Sequence, residues 1–186
     1  MQKNSKYVIE KHRNLVEACA QDDRNAQIEI YNLYYKAMYN TSLRIVNDSF
    51  FAEDIMQEAF LDAFSKIKTF EWRSSFGSWL KRIVINKSLD SIKKETNLIP
   101  LNEDTNDFIA ENDTQDFEDI ECKVEEVKIA FKSLRENYRV ILSLHLFEGY
   151  DHQEISQILD LPYNNVRVRY LRARRKLVEI IIRSRN

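Results

Sequence analysis

The sequence predicts an all-α protein of two small helical domains joined by a flexible acidic linker, the second domain carrying a helix-turn-helix. Three observations lead there. Among 186 residues only 2 are Gly and 2 are Pro, too few turn formers for β-meanders or barrels. Apolar residues recur at helical spacing through most of the chain. Charge is divided sharply: residues 1–94 carry 15 basic and 12 acidic side chains, residues 95–122 none and 10, residues 123–186 13 and 8. A net charge of −2 therefore conceals two basic units separated by an acidic segment. We place the domains at 1–94 and 123–186, with 95–122 as the linker.

Residues 10–47 read as helix, broken near Asp22-Asp23, with Ile28, Tyr31, Tyr35, Met38 and Leu43 on one side. Over residues 51–64 the pattern is clearer. Ala52, Ile55, Met56, Ala59, Phe60, Ala63, Phe64 and Ile67 share a broad apolar side, and Asp54, Gln57, Glu58 and Leu61 lie opposite. Residues 68–75 interrupt the periodicity. A Ser N-cap then opens a helix from Phe76 to about Lys94, with Phe76, Trp79, Leu80 and Ile83 inward and Lys81, Arg82, Lys87, Lys93 and Lys94 adding positive charge. Beyond it, Asn, Asp, Glu and Thr dominate up to Glu121, as in a solvated linker that self-repulsion extends.

The second domain begins with helices predicted over 123–134 and 136–147. A short helix follows, opened by Asp151 and Glu154 as a capping box and ending near Leu159. After Leu161-Pro162, Asn164 or Asn165 is expected to cap a long basic helix from Val166. Short helix, tight turn and long basic helix form the helix-turn-helix pattern. In the last helix Val166, Tyr170, Ala173 and Leu177 point inward. Arg167, Arg169, Arg172, Arg174, Arg175 and Lys176 are expected to cover the rest. Residues 163–186 hold 8 basic side chains against Glu179 alone, and guanidinium groups neutralise phosphates and bind guanine edges bidentately. Val168, Leu171, Arg172 and Arg175 lie opposite the inward stripe, where a major groove would sit, and the two apolar residues suit thymine methyl groups.

Other chemistries find little support. Cys19 and Cys122 form no CxxC, and His12, His145 and His152 are isolated, so neither a disulfide framework nor a metal site is expected. Asp54 and Glu58 have no histidine or metal cluster to tune them for acid–base work, so a protein-docking patch is the better reading. Trp72 and Arg73, with Ser74 and Ser75, combine a stacking face and a cation suited to single-stranded DNA. Phe76 and Trp79 are in phase with the core. With no signal-peptide run and no apolar stretch approaching 18 residues, a cytoplasmic protein is expected.

These pieces resemble the extracytoplasmic-function (ECF) type sigma factors of bacterial RNA polymerase, over roughly residues 25–94 and 124–180. Ala52 to Phe64, with Asp54-x-x-Gln57-Glu58 at its centre, is similar to the family's polymerase-docking helix. Phe76-Gly77-Ser78-Trp79-Leu80-Lys81-Arg82-Ile83-Val84-Ile85-Asn86 resembles the segment that opens and reads the −10 element. Leu134 through Leu177, including Phe147-Glu148-Gly149-Tyr150, Glu154-Ile155, Leu161-Pro162 and Arg172-Ala173-Arg174, resembles the −35-reading domain. The chain departs from the pattern at Asn164-Asn165, where Gly-Thr is usual, at Val168, where a polar residue is common, and at Glu71-Trp72, where Arg-Gly is usual.

The resemblance implies a non-enzymatic initiation factor without cofactor or metal. Its implied partners are core RNA polymerase, promoter DNA and an anti-sigma factor, with no direct membrane insertion. Asp54, Gln57, Glu58 and Leu61 would dock polymerase. Trp72, Arg73, Ser74, Ser75, Lys81, Arg82 and Asn86 would hold melted −10 DNA. Asn164, Asn165, Arg167, Val168, Arg169, Leu171, Arg172 and Arg175 would read the −35 duplex. The alternative is a polymerase-independent helix-turn-helix regulator with an N-terminal sensing or dimerisation domain.

Overall fold

The computed structural model describes residues 3–95 and 123–185, and these divide into two compact units between Lys93 and Lys94. Every regular element among the described residues is helical. The first unit comprises α1 (Lys3–Ala20), α2 (Arg24–Val46), α3 (Ser49–Lys66) and α4 (Phe76–Glu95), with a 3₁₀ turn at Ile67–Thr69. The second comprises α5 (Val124–Lys132), α6 (Glu136–Leu142), a π turn at Ser143–Phe147, α7 (His152–Leu159) and α8 (Tyr163–Arg183). The acidic segment predicted at 95–122 lies outside the described residues apart from Glu95, which closes α4. No described helix is long and apolar enough to cross a membrane.

The breaks follow from local capping. Asp22 adopts a left-handed φ of 63°, and the Asp23 carboxylate accepts from the amides of Asn25 (2.8 Å) and Ala26 (3.2 Å) to open α2. Asp48 does the same for α3 through Phe50 and Phe51. At α4 the Ser75 hydroxyl accepts from the Ser78 amide at 3.2 Å, the Ser cap that the sequence predicts.

In the first unit α2 packs on α1 and α3. The core gathers Val16, Ile30, Met38, Met56, Phe60, Leu80 and Val84, all nearly solvent-free. Each such side chain contributes about 1.5–3 kcal/mol relative to exposure. The apolar side predicted for α3 is buried as expected, with Phe64 half-buried. Cys19 lies in the same core, and burial, with Asp23 adding, pushes its thiol up to about 11, which removes it as a nucleophile at neutral pH.

Gly77 of α4 faces the Tyr34 side chain of α2. A Cβ there would stand 2.8 Å from Cε1 of Tyr34. That ring has little room to retreat, because its hydroxyl is hydrogen-bonded to Nδ1 of His12 and its edge packs on Phe76 at 5.6 Å. Gly77→Val is therefore expected to destabilise the protein by about 1–3 kcal/mol through overpacking. A urea midpoint equal to wild type would contradict this.

In the second unit α8 packs against α5, α6 and α7. Phe131, Leu134, Leu142, Leu144, Ile155, Val166 and Ala173 form its interior. Arg139 is buried among them and donates Nη1 to the Leu134 carbonyl at 2.9 Å; burial lowers its pKa against the opposing influence of Glu136. The helix predicted over 136–147 changes character at Ser143. There the Glu148 amide donates to the Ser143 carbonyl, a five-residue π step. The second unit is also tied end to end: the Glu126 carboxylate of α5 accepts from Arg185 at 2.6 Å, which lowers its pKa.

Candidate nucleic-acid and docking surfaces

On α3, Asp54, Gln57, Glu58 and Leu61 are all exposed, Leu61 to 70%. An exposed leucine of that extent among carboxylates suits a contact surface better than plain solvation. The face has a neighbour that helical periodicity did not disclose. Lys87 of α4 reaches across to Glu58 (3.2 Å) and Asp62 (3.1 Å), with its side chain only 24% exposed. Burial alone would lower its pKa, but hydrogen bonds to Asp62 and Glu58 together raise it. The charge of Glu58 is thus partly answered within the fold.

The loop after the 3₁₀ turn presents Trp72 at 38% exposure, with Arg73, Ser74 and Ser75 exposed beside it. Trp72 holds a left-handed φ of 59°, a conformation that costs a residue with a Cβ about 1–2 kcal/mol. Glycine would hold the same angle without that cost. Its ring rests on Phe70 (centroids 4.8 Å apart), which in turn packs on Trp79 (5.1 Å) and Phe76 (5.9 Å). Phe76 and Trp79 belong to the core cluster, as their phase predicts. The predicted loop cations and hydroxyls are partly engaged: Arg73 pairs with Glu71 at 2.7 Å, and Ser75 serves as the α4 cap. Along α4, Ser78, Arg82 and Asn86 extend the exposed line from the loop at four-residue spacing, whereas Lys81 is half-buried off that line.

The helix-turn-helix frame forms as the capping signals require. The Asp151 carboxylate accepts from the Glu154 amide and Glu154 from the Asp151 amide, both at 2.8 Å. Asp160, at φ 54°, ends α7, and Leu161-Pro162 lead into α8. Two expectations need correction here. First, α8 begins at Tyr163 behind Pro162, so Asn164 and Asn165 lie inside its first turn and are not caps. Pro162 itself holds the N-cap position with its φ fixed by the ring, and no side chain caps the helix.

Second, Arg169, expected among the side chains that cover the rest of α8, is buried. It is 7% exposed, because it stands three residues after Val166 and four before Ala173 and therefore shares their inward side. A long aliphatic stem lets an arginine sit there. Arg172 is half-buried, while Asn164, Asn165, Arg167, Val168, Leu171, Arg174 and Arg175 are exposed. Glu179 answers Lys176 (2.9 Å) and, more distantly, Arg175 (3.6 Å).

The histidines of this unit are structural. His152 stacks on His145 at 4.9 Å, and both pack on Tyr170 of α8, at 4.9 and 4.6 Å. Nδ1 of His145 donates to the Tyr150 carbonyl at 2.9 Å if it carries the ring proton. Burial, reinforced by His145, lowers the pKa of His152. The cluster packs the start of α7 and the π turn against α8. The described residues hold no group of three or more potential metal ligands.

A basic, exposed helix on a helix-turn-helix frame, preceded in the chain by a four-helix unit with an acidic face and an aromatic loop, defines a class of transcription initiation protein. Residues 30–97 match the family model for Sigma-70 region 2, and residues 126–177 that for Sigma-70, region 4. The chain belongs to the ECF-type RNA polymerase sigma factors and is a sigma factor directing transcription initiation.

Among its relatives, the ECF RNA polymerase sigma-E factor of Haemophilus influenzae is 30% identical over 173 residues, which cover 86% of this chain and 89% of that protein. The RNA polymerase sigma-H factor of Pseudomonas aeruginosa is 29% identical over 178 residues, covering 89% and 91%. Two solved structures share the fold, each at 19% identity. They are CnrH in complex with the cytosolic domain of CnrY (TM-score 0.54, covering 91% of this chain and 96% of that one) and the sigma factor RpoE in complex with the anti-sigma factor NepR from Bartonella quintana (TM-score 0.56, 82% and 94%).

Proposed function

We propose that this chain binds core RNA polymerase through the α3 face and brings it to promoters whose −35 element is read by α8 and whose −10 element is melted at the loop before α4. The observation that carries this reading is the presence in one chain of an exposed acidic face at Asp54 and Glu58 and an exposed basic face on α8. Opposite charges on the two faces call for different partners, a basic protein surface and a nucleic-acid backbone. Asp54, Gln57, Glu58 and Leu61 dock. Trp72, Arg73, Ser74, Arg82 and Asn86 hold unpaired bases and their phosphates, with Ser75 and Lys81 shaping that surface. Asn164, Asn165, Arg167, Val168, Leu171 and Arg175 read duplex, with Arg172 at the edge of the contact. The domain division assigns 1–94 to docking and melting, 95–122 to the connection and 123–186 to −35 reading. The protein acts in the cytoplasm, is not an enzyme and is held in check by an anti-sigma factor.

Co-purification of core polymerase with the tagged chain tests the reading; a chain that binds duplex tightly yet never retains polymerase would be a free-standing regulator. Melting is tested separately. Stacking of a base on an aromatic ring is worth about 1–3 kcal/mol, so Trp72→Ala should cut permanganate reactivity of −10 thymines severalfold while polymerase binding is unchanged. Equal reactivity in the two proteins would remove the loop from the melting site.

A further inference from the structure

Trp72 joins a left-handed backbone to a partly exposed aromatic side chain. Its φ of 59° carries the cost of that conformation, and the residue is 38% exposed. Backbone strain of this kind clusters at ligand-binding sites, and here it presents an aromatic face.

The ring is also attended from elsewhere in the chain. The guanidinium of Arg13, on α1, lies over it at 5.0 Å from the centroid. Arg13 is itself exposed, and its ion pair with Glu17 uses Nε, at 2.9 Å; among the described residues no ion pair engages the terminal nitrogens. Arg13 lies well before residues 30–97, the part of the chain that matches Sigma-70 region 2.

A guanidinium plane and a nucleobase are equivalent stacking partners for an aromatic face, and a guanidinium is also a bidentate phosphate ligand. Resting on the reading of the loop as the −10 contact, we infer that Arg13 is a further contact residue for the melted strand. One unpaired base takes the indole face over which the guanidinium now lies. The guanidinium moves to the phosphate of that nucleotide and remains tethered by Glu17. Phe70 backs the indole so that the face stays presented while the cation exchanges. The ligand is therefore one nucleotide of single-stranded DNA, held by its base on α4's preceding loop and by its phosphate on α1.

The test uses holoenzyme assembled from full-length chain and core polymerase. The probe is a single-stranded 12-mer pool, randomised at every position and enriched on the wild-type holoenzyme. Arg13→Gln should weaken binding about threefold or more and reduce the slope of log affinity against log salt by about 0.7, the signature of one lost phosphate contact on a single strand. Arg13→Lys should keep the slope. Trp72→Gly suits the left-handed backbone, so it removes the ring without redirecting the loop, and it should weaken binding about fivefold or more at an unchanged slope. Wild-type affinity in Arg13→Gln, or weakened affinity with a wild-type slope, would overturn the assignment of Arg13. If Trp72→Gly weakens binding and Arg13→Gln does not, this inference alone fails. If Trp72→Gly also binds as wild type, the −10 reading of the loop fails with it.

Discussion

Asp54→Arg combined with Glu58→Arg should abolish binding to core polymerase while the protein stays helical and still binds −35 duplex, the largest effect expected from any surface change in the first unit. Both side chains are exposed and stand opposite the buried side of α3, so neither substitution opens a cavity. Surface changes of this kind shift stability by about 0.5 kcal/mol or less. The guanidinium introduced by Glu58→Arg would lie beside Lys87, but Asp62 still accepts from Lys87 at 3.1 Å, so that cation keeps a partner. The effect on association is of a different size. Opposing like charges across an interface costs several kcal/mol, and reversing two residues changes the face by four charges.

The single variants should be graded. Glu58 already shares its charge with Lys87, whereas no ion pair to Asp54 occurs among the described residues, so Asp54→Arg should cost more than Glu58→Arg. Affinity of the double variant for core polymerase within twofold of wild type, measured with circular dichroism as the folding control, would remove the docking role from this face.

How much of this was legible in the sequence depends on whether a feature is encoded within one helix or between two. The two sides of α3 follow from 100° per residue, and the Asp151–Glu154 box follows from a four-residue pattern; both needed nothing beyond the chain's own order. The partnership of Lys87 with Glu58 and Asp62 joins residues 29 and 25 positions apart, and periodicity on α4 marks Lys87 only as basic. Arg13 over Trp72 is the same kind of feature over a longer separation.

Arg169 departs from expectation for a different reason. Its spacing from Val166 and Ala173 already puts it inward, and counting it among the −35 contacts lets its charge outvote its phase. The start of α8 differs from expectation because asparagines are good caps, while Pro162 already sets the entry. The left-handed Trp72 stands in the sequence as a departure from Arg-Gly; its backbone angle supplies the reason that departure is costly.

Val168→Glu combined with Leu171→Glu should abolish −35 recognition, whereas Arg169→Ala should weaken the fold of the second unit and leave base preference unchanged. Val168 and Leu171 are 38% and 45% exposed, three residues apart on one side of α8, with Arg167 and Arg175 exposed nearby along the helix. Apolar side chains on that side suit thymine methyl groups, and each good base contact discriminates by about 1–3 kcal/mol. Replacing both with carboxylates removes those contacts and sets two negative charges against phosphates, so the combined loss should exceed about a hundredfold, with little cost to folding. Arg169 is 7% exposed and engaged within the unit. Its removal leaves unfilled volume and unsatisfied partners beneath α8, a loss of about 1–3 kcal/mol that a denaturant midpoint registers. Promoter selection from a randomised −35 library then separates the two. The Arg169→Ala protein should enrich the wild-type sequence with reduced yield. An unchanged denaturant midpoint together with an altered −35 consensus would place Arg169 in the groove and overturn the inward assignment.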